Sequence, residues 1–308
     1  MNRSPLVSLS LVALALGAFG CSDGTEGATG TLQVFVEPED SIPEGLVPGD
    51  GPEDIQDGWS VTYDRFLVTI GNVRATRTET GATLSDPTVR VLDLQHAPAG
   101  GYVITELTDV AAARWDRFGF DLAHARAGLG TLPPTTQADV DFMIQGGYSL
   151  YFEGSIEKAD GQSCKPGDPT DCAPATKVSF RWGLAAGTAF DDCATEDGIV
   201  GFAVPEGGAV QVKPTIHGDH WFFDNITAGA ELTKRYAQYL ADCDLDRDGE
   251  TTLDELRAVQ AADVFPADTY DLGGAGVPIQ TAYDYVMAQA RTLGDYQGDG
   301  ECPTRTPL

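Results

Sequence analysis

Positive charge is scarce in this chain of 308 residues. Against 47 aspartates and glutamates stand only 19 lysines and arginines, a net charge of -28. A surface so acidic repels phosphate, which excludes nucleic acid as a partner. Enzyme signatures are missing as well. There is no G-x-S-x-G, no H-E-x-x-H and no phosphate-cradling G-x-x-x-x-G-K. Ser155-Ile156-Glu157-Lys158 matches S-x-x-K by letters, but it continues a strand pattern where that chemistry needs a helix start. No two cysteines form a C-x-x-C pair, so neither a zinc ribbon nor a thioredoxin-type site has support. The reading that follows is non-enzymatic. A hydrolase with an acidic site of no recognisable pattern is the weakest alternative, because many acids are present and nothing selects a pair.

An export signal is present at residues 1–20. Arg3 supplies the positive start, Leu6 to Leu16 the apolar stretch, and Gly17-Ala18-Phe19-Gly20 the small-residue end. The apolar stretch is too short to span a bilayer as a mature helix. Cys21 follows directly, so the segment resembles a bacterial lipoprotein signal, in which that cysteine is acylated. Residues 21–30, rich in Gly, Ser and Thr, then serve as a flexible tether. The expected location is the bacterial cell envelope, anchored by lipid and facing the periplasm or the cell surface. Five cysteines remain for an oxidising compartment. Cys164 and Cys172 flank a Pro/Gly/Asp turn and are expected to staple it. Cys193, Cys243 and Cys302 leave one thiol over.

The 36 glycines and 18 prolines point to many turns. Between them lie short alternating runs: 32–36, 59–63 and 66–70 with a bulge at Asp64-Arg65, then 89–94, 102–107 and 118–122. Tyr148 to Glu157 is the clearest strand. Val178, Phe180, Trp182 and Leu184 alternate in the same way, as do Val210, Val212 and Ile216. No run from 31 to 225 holds a helical period, and residues 37–58 read as a long acidic loop. From residue 228 the period becomes helical. The predicted class is therefore α+β, mainly β: an antiparallel β-sandwich over 31–225, followed by a small helical domain over 226–308. Trp59, Trp115, Trp182 and Trp221 could line a sugar-binding face, but at alternating positions they are expected in the core.

One stretch declares a chemistry. Asp244-Leu245-Asp246-Arg247-Asp248-Gly249-Glu250-Thr251-Thr252-Leu253-Asp254-Glu255 resembles the calcium loop of the EF-hand family. The resemblance implies Ca²⁺ bound by Asp244, Asp246 and Asp248, by the carbonyl of Glu250, by a water held on Thr252 and by both oxygens of Glu255. Leu232, Tyr236 and Tyr239/Leu240 before it, and Leu253, Leu256 and Val259 after it, recur at helical spacing. The eighth loop position, usually a branched apolar residue that pairs with a partner loop, is Thr251, and no second full loop exists in the sequence.

A second resemblance runs from Arg117 to Cys193. Gly119-Phe120-Asp121, Met143, Gly147 to Gly154 and Phe180 to Cys193 resemble, in order, the MbnP-like periplasmic copper-binding proteins. That family implies a β-sandwich. Its tryptophan two residues after the methionine is Gln145 here, and Arg181 and Trp182 stand where its histidine would be. A further candidate metal site is His217-Gly218-Asp219-His220, where two of the four histidines and a carboxylate suit copper or zinc. His96 and His124 are isolated and read as structural. The leading function is a calcium-binding, membrane-tethered envelope protein with a binding or scaffold role toward an unidentified protein or carbohydrate. The alternative is a periplasmic copper- or zinc-binding protein.

Overall fold

A computed structural model describes residues 27–226 and 233–307. The export signal, Cys21, residues 21–26 of the tether and Leu232 lie outside the described residues. Thr29 and Gly30, assigned to the tether by sequence, already belong to the first strand, Thr29–Pro38, because they pair with Ala111 and Val110.

The protein is α+β and mainly β, with two principal sheets around one core. In the larger sheet the organising strand is Ser60–Arg77. Its first half pairs with Leu150–Glu157 and its second half with Arg117–Leu122, both antiparallel. The register shifts between Tyr63 and Arg65, at the bulge expected from sequence. A shift there bends and twists the strand, which lets one strand serve two neighbourhoods of a curled sheet. In the smaller sheet Thr29–Pro38 is central. It pairs antiparallel with Tyr102–Ala111 and parallel with Ala209–Val212 and Pro214–Ile216. These parallel pairings are a departure from a purely antiparallel sandwich. They arise because the chain returns to the first strand after some 170 residues rather than through a hairpin.

Alternation explains the core. Val178, Phe180, Trp182 and Leu184 are buried on one face of their strand, opposite Leu150, Phe152 and Ile156. Phe152 stacks on Trp221 at 4.3 Å between ring centroids, and Phe66 stacks on Phe152 at 5.7 Å. All four tryptophans are buried, as their alternating positions predicted.

Two sequence expectations change. A helix does occur before residue 225, at Gln137–Gly146. Thr136 and Asp139 form a capping box at its start, and Val140 and Met143 face a small separate core with Leu67, Val91, Ala125 and Tyr151. Only two buried positions three apart mark it, too few to register as a period. Met143, the residue that anchors the copper-family resemblance, is thus a packing residue. Second, the residues from 233 onward do not stand apart. Gly294–Tyr296 pairs with Pro214–Ile216, Thr304–Arg305 with Thr188–Phe190, and Glu250–Thr251 with Lys177–Leu184. Tyr239, Leu256, Tyr285 and Leu293 join the same core as the sheets.

Candidate metal centres

Neighbouring segments hold the loop at 244–255 from the helix before it, from Arg247 and from the sheet edge. The helix leading into it is short, Gln238–Asp242, and not the longer helix that Leu232, Tyr236 and Tyr239/Leu240 suggested. Asp57 sets its start: one carboxylate oxygen accepts from the N–H groups of Ala237 and Gln238 at 2.8 and 2.7 Å. Upstream, Arg235 bridges to Ile55 and Phe223, so the chain there is extended. Asp242 accepts from the N–H of Cys164 at 2.7 Å, which seats the helix on the disulfide hairpin Cys164–Cys172. Arg247, inside the loop, reaches Asp171 of the same hairpin at 3.1 Å.

Within the loop the backbone turns on Gly249 at φ 89°, a conformation that glycine adopts without strain. Asp244 is buried and accepts from the N–H groups of Asp248 and Gly249 at 3.1 and 2.9 Å. Asp246 accepts from Asp248 N–H at 3.2 Å. Glu255 accepts from Leu245 N–H with one oxygen and from Thr252 N–H with the other, at 2.9 and 2.8 Å. These bonds draw carboxylate oxygens of Asp244, Asp246 and Glu255 to within 4.8 Å of one another, close enough to share an ion. Burial raises the Asp244 carboxyl above its ordinary value, and the charges of Glu255 and Asp248 add to the rise. Asp248 is outside that close set, because its carboxylate turns back to Glu250 N–H at 2.9 Å. The Thr252 hydroxyl is occupied as the cap of the helix Leu253–Ala258, accepting from Glu255 N–H at 3.2 Å.

The missing partner loop has a substitute. Glu250–Thr251 forms a parallel pairing with Ser179 and Phe180 at the edge of the large sheet. Ser179 N–H donates to Gly249 C=O at 2.8 Å, and the Trp182 indole donates to Thr251 C=O at 2.8 Å. The Thr251 hydroxyl, fully buried, donates to Leu240 C=O at 2.6 Å. A threonine at the eighth position therefore joins the incoming helix to the sheet edge instead of packing against a second loop. Glu250 stands opposite Ser179, and the alternation of a parallel ladder turns its own C=O away from that neighbour.

The second candidate is a cavity of about 680 Å³. His217 and His220 both line it and both are buried. Gly218, between them, lies so close to Ile42 that a Cβ would sit 2.6 Å from Cγ1, and Trp221 donates to the Tyr63 hydroxyl at 2.7 Å. Those contacts bend the segment, so the two rings do not alternate across a sheet; their centroids are 5.2 Å apart. One ring nitrogen of each histidine and an oxygen of Asp219 lie within 4.8 Å of one another.

Residues that no local motif revealed complete the cluster. His217 Nδ1 is 3.8 Å from Asp219 Oδ1 and 4.0 Å from Glu39 Oε2, and its Nε2 is 3.2 Å from Asp295 Oδ2. Arg235 binds the other oxygen of Asp219, with Nε at 2.7 Å. His220 Nδ1 is 2.8 Å from the Thr292 hydroxyl, whose own proton goes to Gln289 C=O at 2.9 Å. The hydroxyl must then accept from Nδ1–H, which leaves His220 Nε2 with a bare lone pair. Burial holds the His220 imidazole neutral, down to about 3. Burial opposes charge on His217, but Asp295, Asp219 and Glu39 outweigh it and raise the imidazole above its ordinary value. Burial above all pushes Asp295 up to about 7. Glu39 lies in the long acidic loop and Asp295 in the run Gly294-Asp295-Tyr296-Gln297-Gly298-Asp299-Gly300-Glu301, whose acids were the available signal. Of the two isolated histidines, His96 is exposed and bonds Asp93 at 2.9 Å, and His124 packs against Gly187.

Among the described residues, acidic and histidine side chains thus converge in three groups that could hold a metal ion: one in the loop, and two that share Asp219 at the cavity. Comparison with protein-family models, with curated proteins and with solved structures returned no match.

Proposed function

We propose that this chain is a calcium-binding, non-enzymatic protein of the bacterial cell envelope, lipid-anchored at Cys21, with a binding or scaffold role. Calcium in the 244–255 loop fastens the C-terminal part of the chain to the sandwich. The observation that carries this reading is the convergence of Asp244, Asp246 and Glu255 in a loop already bonded to a sheet edge. Ca²⁺ is a hard cation that takes six to eight oxygens. The carboxylates of Asp244, Asp246 and Glu255 and the carbonyl of Glu250 suit it; imidazole is absent, which disfavours zinc or copper here. Asp248 and the Thr252 water complete the shell in the EF-hand pattern, the former by a side-chain rotation away from Glu250 N–H.

The loop carries no second loop to cooperate with and is partly open to solvent. A weak site, about 10⁻⁴–10⁻³ M as in extracellular modules, fits a constitutive structural ion. Binding to the folded form alone stabilises it by about 2.7 kcal/mol at 100 times Kd. Thermal unfolding with millimolar Ca²⁺ and with chelator should show a clear rise in Tm for the parent and a much smaller one for Glu255→Gln. Equal shifts in both proteins, or none in the parent, would remove calcium from this loop. The anchor has its own test: Cys21→Ala should move the protein from membranes to the soluble envelope fraction, and unchanged fractionation would rule the lipid out.

A further inference from the structure

We propose that the cavity is a second cation site, separate from the calcium loop, which takes a divalent transition-metal ion of the Zn²⁺ class. His217, His220 and Asp219 are its ligands, Glu39 its fourth donor, and Asp295 the residue that orients His217.

A buried polar atom points to a ligand. Asp219 Oδ1 has no hydrogen-bond partner, although Asp219 is fully buried. Leaving such groups unsatisfied costs about 1–3 kcal/mol each, more for a charge, so a native structure rarely keeps them without a use. Asp219 Oδ1 faces His217 Nδ1 at 3.8 Å, too far for a hydrogen bond. Glu39 Oε2 faces the same nitrogen at 4.0 Å. Ligand atoms that share Zn²⁺ at about 2.0–2.2 Å each stand roughly 3–4 Å apart; His217 Nδ1 stands 3.8 and 4.0 Å from Asp219 and Glu39, and a His220 nitrogen lies within 4.8 Å of His217 and Asp219.

The surroundings fit the same ion. Asp295 stands at 3.2 Å behind His217, on the nitrogen that does not face Asp219. A carboxylate behind a ligating imidazole fixes its tautomer and orientation, and such partners matter about 10–100-fold in metal affinity. Thr292 does the equivalent for His220 by taking its Nδ1–H, as described above. Arg235 occupies Asp219 Oδ2 only, leaving Oδ1 for an ion. Imidazole donors separate this site from the all-oxygen loop and favour a transition ion over Ca²⁺. The cavity gives the ion a path in from solvent.

The test uses the whole chain in millimolar Ca²⁺, so that the loop is occupied throughout. Titration with Co²⁺ should give a visible absorption band that saturates at one equivalent and disappears on adding Zn²⁺. Glu255→Gln should leave this titration unchanged. His220→Gln should weaken binding by at least about tenfold, and Asp295→Asn by about 10–100-fold. If His220→Gln does not fold, Glu39→Gln takes its place, with a loss of affinity expected. No saturable Co²⁺ or Zn²⁺ binding in the parent overturns the site. So does parent-like binding in a variant of His220 or Glu39 that melts as the parent does.

Discussion

The loop and the cavity solve one problem, gathering negative charge, in opposite ways. The loop is written in twelve consecutive residues and sits at the surface: Asp246, Asp248 and Glu255 are exposed or half-exposed, and backbone N–H groups neutralise the carboxylates locally. The cluster at the cavity is assembled from Glu39, His217, Asp219, His220, Arg235, Thr292 and Asp295, and all of these but Glu39 and Thr292 are buried. A surface cluster can be solvated while its ion is absent. A buried one must be balanced by fixed partners, and Arg235, paired with Asp219, supplies that balance here. The two regions are also connected: Tyr239, on the helix entering the loop, donates to the carbonyl of Trp221, next to His220, at 2.9 Å. Each region has its own disulfide. Cys164–Cys172 closes a separation of 8 beside the loop, and Cys193–Cys302, whose Cys302 lines the cavity, closes one of 109. Cys243 is the spare thiol, buried at the end of the helix that precedes the loop.

The disulfides give the largest expected contrast. A cross-link stabilises chiefly by restricting the unfolded chain, and more for a longer enclosed loop. Replacing Cys193 and Cys302 with serine should cost about 5 kcal/mol, and replacing Cys164 and Cys172 about 2.5 kcal/mol. Urea unfolding of the two double variants measures both. A larger loss from the short hairpin would reverse the comparison, and would show that the hairpin's contacts with Asp242 and Arg247 outweigh chain entropy.

Ion pairs should separate the regions almost as sharply. Arg235 is 7 % exposed and faces a fully buried Asp219, so Arg235→Met strands a carboxylate in the interior. Breaking such a pair from one side costs about 3–5 kcal/mol. Arg247 and Asp171, beside the loop, have side chains 41 % and 52 % exposed. Solvent screens that pair, and Arg247→Met should cost less than about 1 kcal/mol. Chemical denaturation of the two variants side by side decides it. Equal losses would mean that the cavity is wetter than its burial implies.

The same contrast explains what could be read from sequence. The bulge at Asp64-Arg65, the alternation of Val178 to Leu184 and the spacing of the loop acids are local patterns, and local geometry carries them intact into the fold. The partners of His217 are not local. Glu39 comes 178 residues before it and Asp295 78 after it, brought together because Thr29–Pro38 and Gly294–Tyr296 both pair with Pro214–Ile216. Helical spacing around Tyr236 misled for a related reason. Tertiary bonds from Arg235 and Asp57 fix where that helix starts, and propensity alone does not place them. The helix at 137–146 was hidden because a polar, capped helix with two buried residues has little period to detect.

The smallest effect concerns Asp57, which the long acidic loop sends to the start of the helix before the 244–255 loop. One oxygen caps Ala237 and Gln238, while the other is buried without a partner. Asp57→Ala removes the cap and should cost about 1 kcal/mol, with a weaker calcium-dependent rise in Tm because the incoming helix is looser. Burial raises the Asp57 carboxyl above its ordinary value. The folded state therefore favours the protonated form. That contribution is fully present below the unfolded pKa, and is lost as pH rises through the folded one. Asp57→Asn keeps an accepting oxygen and cannot ionise. Between acid and neutral pH it should accordingly lose less stability than the parent. Unfolding midpoints across that range, in parent and Asp57→Asn, give the two slopes. Parallel slopes would show that the cap stays ionised at no cost, and that the burial around Asp57 does not reach its carboxylate.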